Sequence, residues 1–266
     1  MIEEFLYLDT GQPKISAASV GISNKRWTCI KIENIDIENY KEIMSKYRFD
    51  VLPIQSAENT SEYFITAKPN QYETILRKEI THEDILSYDS SIREVIKTFA
   101  KEKRSFYFLT YRNKINGLIT VGNLNCRLVQ VFLFGLICEI ERLLCKLIET
   151  NVDHDELIEY LITKSVSDKN IKQALENYEK QKSIEMENTI LEHLYFQAFL
   201  DISYQFNLHS NLKYESNKWK EFNEIKVIRN LVAHPAKSLI DNKNNINKLW
   251  RRIQLMEELI FRLHQI

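Results

Sequence analysis

The residues best suited to chemistry are an arginine, an asparagine and a histidine in the C-terminal half of the chain: Arg229, Asn230 and His234. Arginine carries a permanent positive charge on a planar group that matches phosphate oxygens. Histidine both accepts and donates a proton near neutral pH. Because the ribose 2′-hydroxyl of RNA is a built-in nucleophile, these residue types are sufficient for metal-free RNA cleavage. We therefore take the three residues as candidate catalytic groups.

The spacing of the arginine and the histidine resembles the R-x4-H motif of the HEPN ribonuclease superfamily, in which Asn commonly follows the Arg. The resemblance implies that Arg229 binds the scissile phosphate and stabilises developing charge. It implies that Asn230 orients the histidine or the phosphate, and that His234 is a general acid or base. Such enzymes form one composite site from two copies of the motif across a dimer interface and leave a 2′,3′-cyclic phosphate and a 5′-hydroxyl. Without the resemblance, the pattern also fits an arginine on a solvent-exposed helix face and a histidine at a helix end.

The surroundings of the motif favour an anionic ligand and a helix end. Nine basic residues and three acidic ones lie between Lys218 and Arg252, although the net charge of the whole chain is −1. Such a local excess favours phosphate. Because proline disfavours helical backbone in the residue before it, Pro235 predicts that the helix ends or kinks at His234. This would turn the histidine ring towards Asn230 and Arg229.

The composition excludes several other classes of protein. The chain has 266 residues, 44% of them hydrophobic and 27% charged, which is typical of a soluble globular protein with two domains. Its four cysteines form no C-x-x-C pair, no basic signal peptide opens the chain, and its longest apolar run is too short to cross a bilayer. These features predict a cytoplasmic protein with no membrane partner. The glycines fit neither a Rossmann nor a P-loop motif. We interpret the acidic run Asp153–Glu156 as a helix start instead of a metal site, so no metal is expected.

The N-terminal half shows a repeated pattern of helix, strand and strand. Helices are predicted over 37–49 and 90–103, and strands over 50–55, 62–66, 105–111 and 115–121. The second repeat, 85–124, resembles a CBS unit, so the half resembles a tandem CBS-domain (Bateman) module. Such pairs commonly bind adenine nucleotides in the cleft between their units. The resemblance implies Thr120 and Asn123 as nucleotide-binding residues, with Asn123 in place of the family's aspartate.

The rest of the chain is predicted to be helical. A long helix is expected from Asn123 to Thr150, followed by shorter helices at 155–164, 168–185 and 188–206, a motif helix from near Glu215 and a last helix over 244–264. The fold prediction is therefore an α+β N-terminal half of tandem CBS-like units, 1–123, followed by an all-α, HEPN-like helical bundle, 124–266. Because the first half of the long helix is apolar nearly all round, we also expect a homodimer.

Together these observations predict a metal-independent endoribonuclease regulated by an adenine nucleotide, with RNA as substrate and no cofactor for catalysis. By analogy of fold this places the chain near toxin-like, stress-response and antiviral defence ribonucleases. Two alternatives remain. The chain is either a non-catalytic nucleotide sensor that dimerises or binds a partner, or an antitoxin-like scaffold that keeps the motif without activity.

Overall fold

A computed structural model describes residues 15–35, 39–56, 59–182, 189–234, 236–241 and 245–266, which form two compact units. The N-terminal unit contains the described residues between 15 and 129 together with 240, 241 and 245–247. The helical unit contains the described residues of 130–239 and 248–266. The predicted fold class, an α+β half followed by an all-α half, is confirmed. The functional boundary at 123/124 stays a prediction.

Eight strands of the N-terminal unit form two four-stranded sheets. Sheet A has the order β1-β8-β7-β6, and sheet B has the order β2-β3-β4-β5. The strands are β1 (Ile22–Ser23), β2 (Ile30–Lys31), β3 (Val51–Gln55), β4 (Thr60–Lys68), β5 (Gln71–Glu79), β6 (Ile85–Ser87), β7 (Phe106–Tyr111) and β8 (Lys114–Thr120). The helices are α1 (Ala17–Val20), α2 (Tyr40–Tyr47) and α3 (Ile92–Glu102).

The internal duplication expected from the sequence is present in the topology. The order strand, helix, strand, strand occurs twice, as β2-α2-β3-β4 and as β6-α3-β7-β8. In each copy the first strand is parallel to the second, and the second is antiparallel to the third. The strand β5, which the sequence did not predict, extends sheet B beyond the first copy.

The two helices of the repeat begin and end in the same way. Side chains at the N-caps, Asn39 for α2 and Ser91 for α3, accept hydrogen bonds from backbone N–H groups of the first turn. Each helix ends on a residue in the left-handed conformation, Arg48 with φ 56° and Lys103 with φ 55°. In both copies the strand begins three residues later. This junction therefore occupies equivalent places in the two repeats.

The two sheets share one apolar core. Val51 and Tyr63 of sheet B pack with side chains of sheet A, and the Tyr63 ring lies 5.3 Å from that of Phe108 between centroids. A second cluster joins α2 to sheet B through Met44 and Leu52, both fully buried. Burial of these apolar surfaces, worth roughly 25 cal/mol per Å², holds the two repeats together and fixes the cleft between them.

The helical unit is built on the long helix α4 (Arg127–Asn151), which begins in the N-terminal unit. Further helices are α5 (His154–Ser165), α6 (Lys169–Lys182), α7 (Phe196–Gln205), α8 (Leu208–Asn211), α9 (Ser216–Glu221), α10 (Asn223–Ala233) and α11 (Asn245–Leu263). The stripe expected on α4 is buried as predicted, comprising Ile140, Leu143, Leu144, Leu147 and Ile148. No described helix is long and apolar enough to cross a membrane.

Three helix predictions need correction. The long helix does not run from Asn123, because Val121–Asn125 is a short 3-10 helix and extended backbone at Cys126 separates it from α4. The region predicted as one helix over 188–206 holds a 3-10 turn, Ile190–His193, and then α7. The motif helix predicted from near Glu215 is two helices, α9 and α10, that meet at Phe222. At the first two breaks, side-chain hydrogen bonds of Asn123 and Thr189, which apolar periodicity does not reveal, favour 3-10 turns, whereas no side-chain cap accompanies the break at Phe222.

Candidate functional site

The cleft of the N-terminal unit holds a cavity of about 600 Å³. Both sheets line it, together with the helix-to-strand junctions of both repeats. Its walls are apolar and aromatic, formed by Ile22, Trp27, Phe49, Val51, Phe106 and Leu118. Its charged groups are two arginines, Arg26 and Arg48, and two aspartates, Asp50 and Asp241. Flat aromatic walls with a few charged groups are typical of a small-molecule site.

The first repeat's junction supplies charge to the cavity. Arg48 ends α2 in the left-handed conformation, and its side chain is exposed. Asp50, two residues later, is fixed by its own fold, since its Oδ1 accepts hydrogen bonds from Thr66 Oγ1 at 3.2 Å and from the backbone of Asn70 at 2.8 Å. At the equivalent place of the second repeat, Ser105 lines the cavity with a neutral hydroxyl.

One of the lining residues, Trp27, carries an unpaired donor. The indole Nε1–H of Trp27 is buried and has no hydrogen-bond partner in the described part of the chain. A buried donor without a partner costs about 1–3 kcal/mol. Because this nitrogen has almost no accessible surface, it does not face the open cavity, and the rest of the Trp27 side chain forms the wall.

Of the two residues predicted to bind nucleotide, one lines the cavity. Thr120 lies in its wall. Asn123 is not a lining residue, and its Oδ1 accepts hydrogen bonds from the Thr120 backbone at 2.8 Å and from Thr120 Oγ1 at 2.9 Å. This turn shapes the end of β8. The roles of both residues in nucleotide binding stay predictions.

The segment after the motif helix completes the cavity wall. The side chain of Asn125 binds the backbone of Ile240 twice, donating from Nδ2 to the carbonyl and accepting from the N–H, both at 2.9 Å. Ile240 is buried, and Asp241 follows it in the wall. No local signal predicts a pairing across 115 positions. By contrast, the repeated helix-to-strand junction is visible in the sequence, and it could have identified Arg48 and Asp50 as cavity residues.

The three predicted catalytic residues lie at the end of α10. Buried Ile225 and Ile228 fix the inner face of this helix, and Arg229, Asn230 and His234 are exposed. The helix ends as predicted, with His234 as C-cap at φ −121° and ψ 78°. Pro235, the expected cause, lies outside the described residues. Within the described part of the chain, no hydrogen bond joins the three side chains to one another.

A half-buried carboxyl group on α4 is the electrostatic neighbour of Arg229. Burial raises the pKa of Glu141, and the positive charge of Arg229 partly offsets that rise. Nearby, burial and then the charges of neighbouring glutamates raise the pKa of Cys145 to about 11. Because the thiolate is the nucleophilic form, Cys145 is not a nucleophile at neutral pH. Of Glu141, Cys145 and Arg229, the arginine carries the positive charge, and it is the candidate group for binding an anion here.

The predicted basic surface is partly neutralised within the fold. Lys218 forms ion pairs with Glu221 at 3.4 Å and with Glu258 at 3.3 Å. Arg252 pairs with Glu224 at 3.0 Å. The positive charge available to a ligand is therefore smaller than the count of basic residues indicates.

The acidic run at Asp153–Glu156 is a helix start, as interpreted from the sequence. The Asp153 side chain caps α5 by accepting hydrogen bonds from the backbone of Asp155 at 2.9 Å and of Glu156 at 3.3 Å. The Asp153 carboxylate therefore has a structural role as a helix cap. Across the described ranges, no group of three histidine, cysteine or acidic residues could hold a metal ion.

Comparison with known proteins gives no family for this chain: no family model and no curated protein matches its sequence. Among solved structures it is similar to hypoxic response protein I with two coordinated zinc ions, at 12% identity over 41% of this chain and 95% of that chain, with a TM-score of 0.27. It is also similar to the CBS domain of a bacterial CNNM/CorC-family Mg²⁺ transporter in complex with an inhibitor. That similarity has 9% identity over 46% of this chain and 78% of the other, with a TM-score of 0.30.

Proposed function

We propose that the N-terminal unit binds an adenine nucleotide in its cavity and thereby regulates the helical unit. The observation that carries this proposal is the combination of aromatic walls with Arg26 and Arg48 in one half-open cavity. A volume of about 600 Å³ is within the range of small-molecule sites and suits a mononucleotide. The repeated strand, helix, strand, strand order supports the CBS resemblance from which the ligand class follows.

Each part of a nucleotide has a matching group in the wall. Trp27, Phe49 and Phe106 offer aromatic surfaces for a base. Arg26 and Arg48 offer positive charge to phosphate oxygens. Phosphate is therefore expected to contribute a large share of the affinity, and adenosine should bind less tightly than AMP.

Calorimetry with adenosine, AMP, ADP and ATP tests this proposal on the full chain. Arg48→Asn, at a φ of 56° that asparagine tolerates, should weaken AMP binding and leave adenosine binding nearly unchanged. Arg112→Asn is the matched control, because Arg112 is exposed in the same unit, is not a cavity residue, and has a φ of 50° that asparagine tolerates. Absence of binding by all four compounds at millimolar concentration would refute the proposal.

The regulated activity we propose is metal-independent cleavage of RNA at the motif. The specific observation in its favour is that Arg229, Asn230 and His234 are all solvent-accessible at one helix end. His234 would take the proton of the ribose 2′-hydroxyl as that oxygen attacks phosphorus and the bond to the 5′-oxygen breaks. The leaving 5′-oxygen receives a proton from the protonated histidine of a second copy of the motif, and Arg229 stabilises the charge on the phosphoryl oxygens.

This step needs groups that one copy of the motif does not bring together, so we propose that the enzyme is a homodimer. The helical-unit part of α4 carries an exposed apolar face, with Val131 52% and Phe134 55% accessible. Gly135 has open space around it, although glycine costs about 1 kcal/mol in a helix. A second copy packed on this face would bury it symmetrically. Light scattering that shows a monomer with full RNase activity would rule this out.

The competing reading is a nucleotide sensor without catalytic activity, whose helical unit dimerises or binds a partner. It is favoured by the lack of any hydrogen bond among the side chains of Arg229, Asn230 and His234 in the described chain. RNA cleavage separates the two readings. A protein that binds nucleotide but leaves total RNA intact, with and without EDTA, would support the sensor.

A further inference from the structure

The carboxylates of the cavity differ in how they are held. Asp50 already accepts two hydrogen bonds from its own fold through Oδ1. Asp241 is exposed, lines the cavity and accepts no hydrogen bond from the described residues. Its position is nevertheless defined, because the preceding residue is fixed to Asn125 by two backbone hydrogen bonds of 2.9 Å. The fold therefore presents an unengaged carboxylate at a fixed place in the cavity wall.

We infer that Asp241 binds the ribose hydroxyls of the nucleotide, an inference that rests on the proposed nucleotide-binding function. A carboxylate accepts a hydrogen bond from each hydroxyl of a ribose, and such charge-assisted bonds are the strong ones. Asn123, which stands where the CBS resemblance implies an aspartate, is hydrogen-bonded to Thr120 and does not line the cavity. The missing carboxylate is thus supplied from the C-terminal part of the chain.

Asp241 connects the bound ligand to the motif, because it lies on the segment that follows the motif helix. Asp241 follows His234 by seven positions, and the chain passes from the helical unit to the N-terminal unit between 239 and 240. A nucleotide that holds Asp241 restrains the segment leading back to His234. A ligand shifts an equilibrium only by its different affinity for two states. Here the contact between the sugar hydroxyls and Asp241 distinguishes the restrained from the unrestrained segment, so the sugar hydroxyls carry the regulatory signal. The phosphate, bound by the arginines, supplies affinity.

The test compares AMP with 2′,3′-dideoxy-AMP by calorimetry on the full chain. The wild type should bind AMP at least about tenfold more tightly. Asp241→Asn should bring the two affinities to within about twofold by weakening AMP alone. Asp89→Asn, an exposed aspartate of the same unit outside the cavity, should keep the wild-type ratio. Thermal unfolding of both variants shows that they are folded.

Each result has a defined meaning. A ratio unchanged in Asp241→Asn but lost in Asp50→Asn assigns the sugar to Asp50 and overturns the inference, while leaving the nucleotide proposal intact. Failure of the wild type to bind either compound overturns both proposals.

Hydrogen exchange tests the regulatory half of the inference without any need for RNase activity. AMP should slow amide exchange over residues 236–241 in the wild type, and the dideoxy compound at equal occupancy should not. Equal protection by the two compounds would show that the sugar hydroxyls do not restrain this segment.

Discussion

The cavity of the N-terminal unit and the motif of the helical unit differ in how their polar groups are positioned. The cavity collects groups from distant parts of the chain, and hydrogen bonds such as those from Asn125 to Ile240 hold them. The motif takes its groups from one helix end, where they are exposed and make no hydrogen bonds to one another within the described chain. A site of the first kind is complete in one chain. A site of the second kind requires the substrate or a second copy to organise it.

The largest expected effect is at the motif. His234→Ala should lower the rate of RNA cleavage by about 10²–10⁴-fold, because it removes a general acid or base. The measurement is single-turnover cleavage of total RNA in the presence of EDTA. His154→Ala, at an exposed position of the same unit, is the matched control and should keep the wild-type rate. Cleavage that survives in His234→Ala would remove the catalytic assignment.

A smaller effect is expected at the cavity. Arg48→Asn should weaken AMP binding by about tenfold or more, since it removes a charged hydrogen bond to phosphate. Calorimetry measures the change. The helical unit should unfold as in the wild type, which would show that the loss belongs to the ligand site. Unchanged AMP affinity would place the phosphate elsewhere.

The stability of the α/β unit provides the next test. Asp84 is buried and accepts hydrogen bonds from Thr81 at 2.9 Å and from Arg104 at 2.5 Å. Burial alone would raise its pKa, but these hydrogen bonds and the charge of Arg104 bring the pKa of Asp84 below its usual value. Arg104→Leu should therefore destabilise the protein by about 1–3 kcal/mol, as measured by denaturant unfolding at neutral pH.

The same ion pair predicts a pH dependence. Because the folded-state pKa of Asp84 lies below its unfolded value, the stabilisation is present above the unfolded pKa, near 4, and is lost as pH falls through the folded pKa. The wild type and Arg104→Leu should therefore converge in stability in acid. A difference that stays constant down to low pH would contradict this account of the pair.

The smallest effect concerns the neighbour of the motif arginine. Burial raises the pKa of Glu141, so the folded protein loses stability as pH rises from the ordinary glutamate pKa through the raised value. Glu141→Gln should increase stability at neutral pH by less than about 1 kcal/mol. In Arg229→Ala the offsetting charge is gone, so the same substitution should stabilise more. Equal gains in both backgrounds would show that the two residues do not interact.

The comparison of the two sites also shows what a sequence can predict. The end of α10 at His234 and the buried stripe of α4 follow from residue types at short spacing, and both were predicted. The repeated strand order was also visible, because β-branched and aromatic runs recur around capped helices. Asp241 was not predicted, since its place depends on contacts between residues far apart in the chain.

The break at Cys126 shows a second kind of failure. Apolar periodicity continues through residues 121–128, but the capping bonds between Thr120 and Asn123 favour a short 3-10 helix there. Hydrogen bonds from side chain to backbone compete with helix continuation at such places. A 3-10 helix and an extended residue, Cys126, therefore connect β8 to α4, and the two are not joined by one continuous helix.

The most direct test of the whole account is the rate of RNA cleavage by the full chain with and without a saturating adenine nucleotide, in EDTA. Coupling between two sites typically changes a binding constant by about 5–150-fold. We predict that AMP changes the cleavage rate at least fivefold in the wild type and leaves it unchanged in Asp241→Asn. A nucleotide that binds tightly and does not alter the rate would contradict the account.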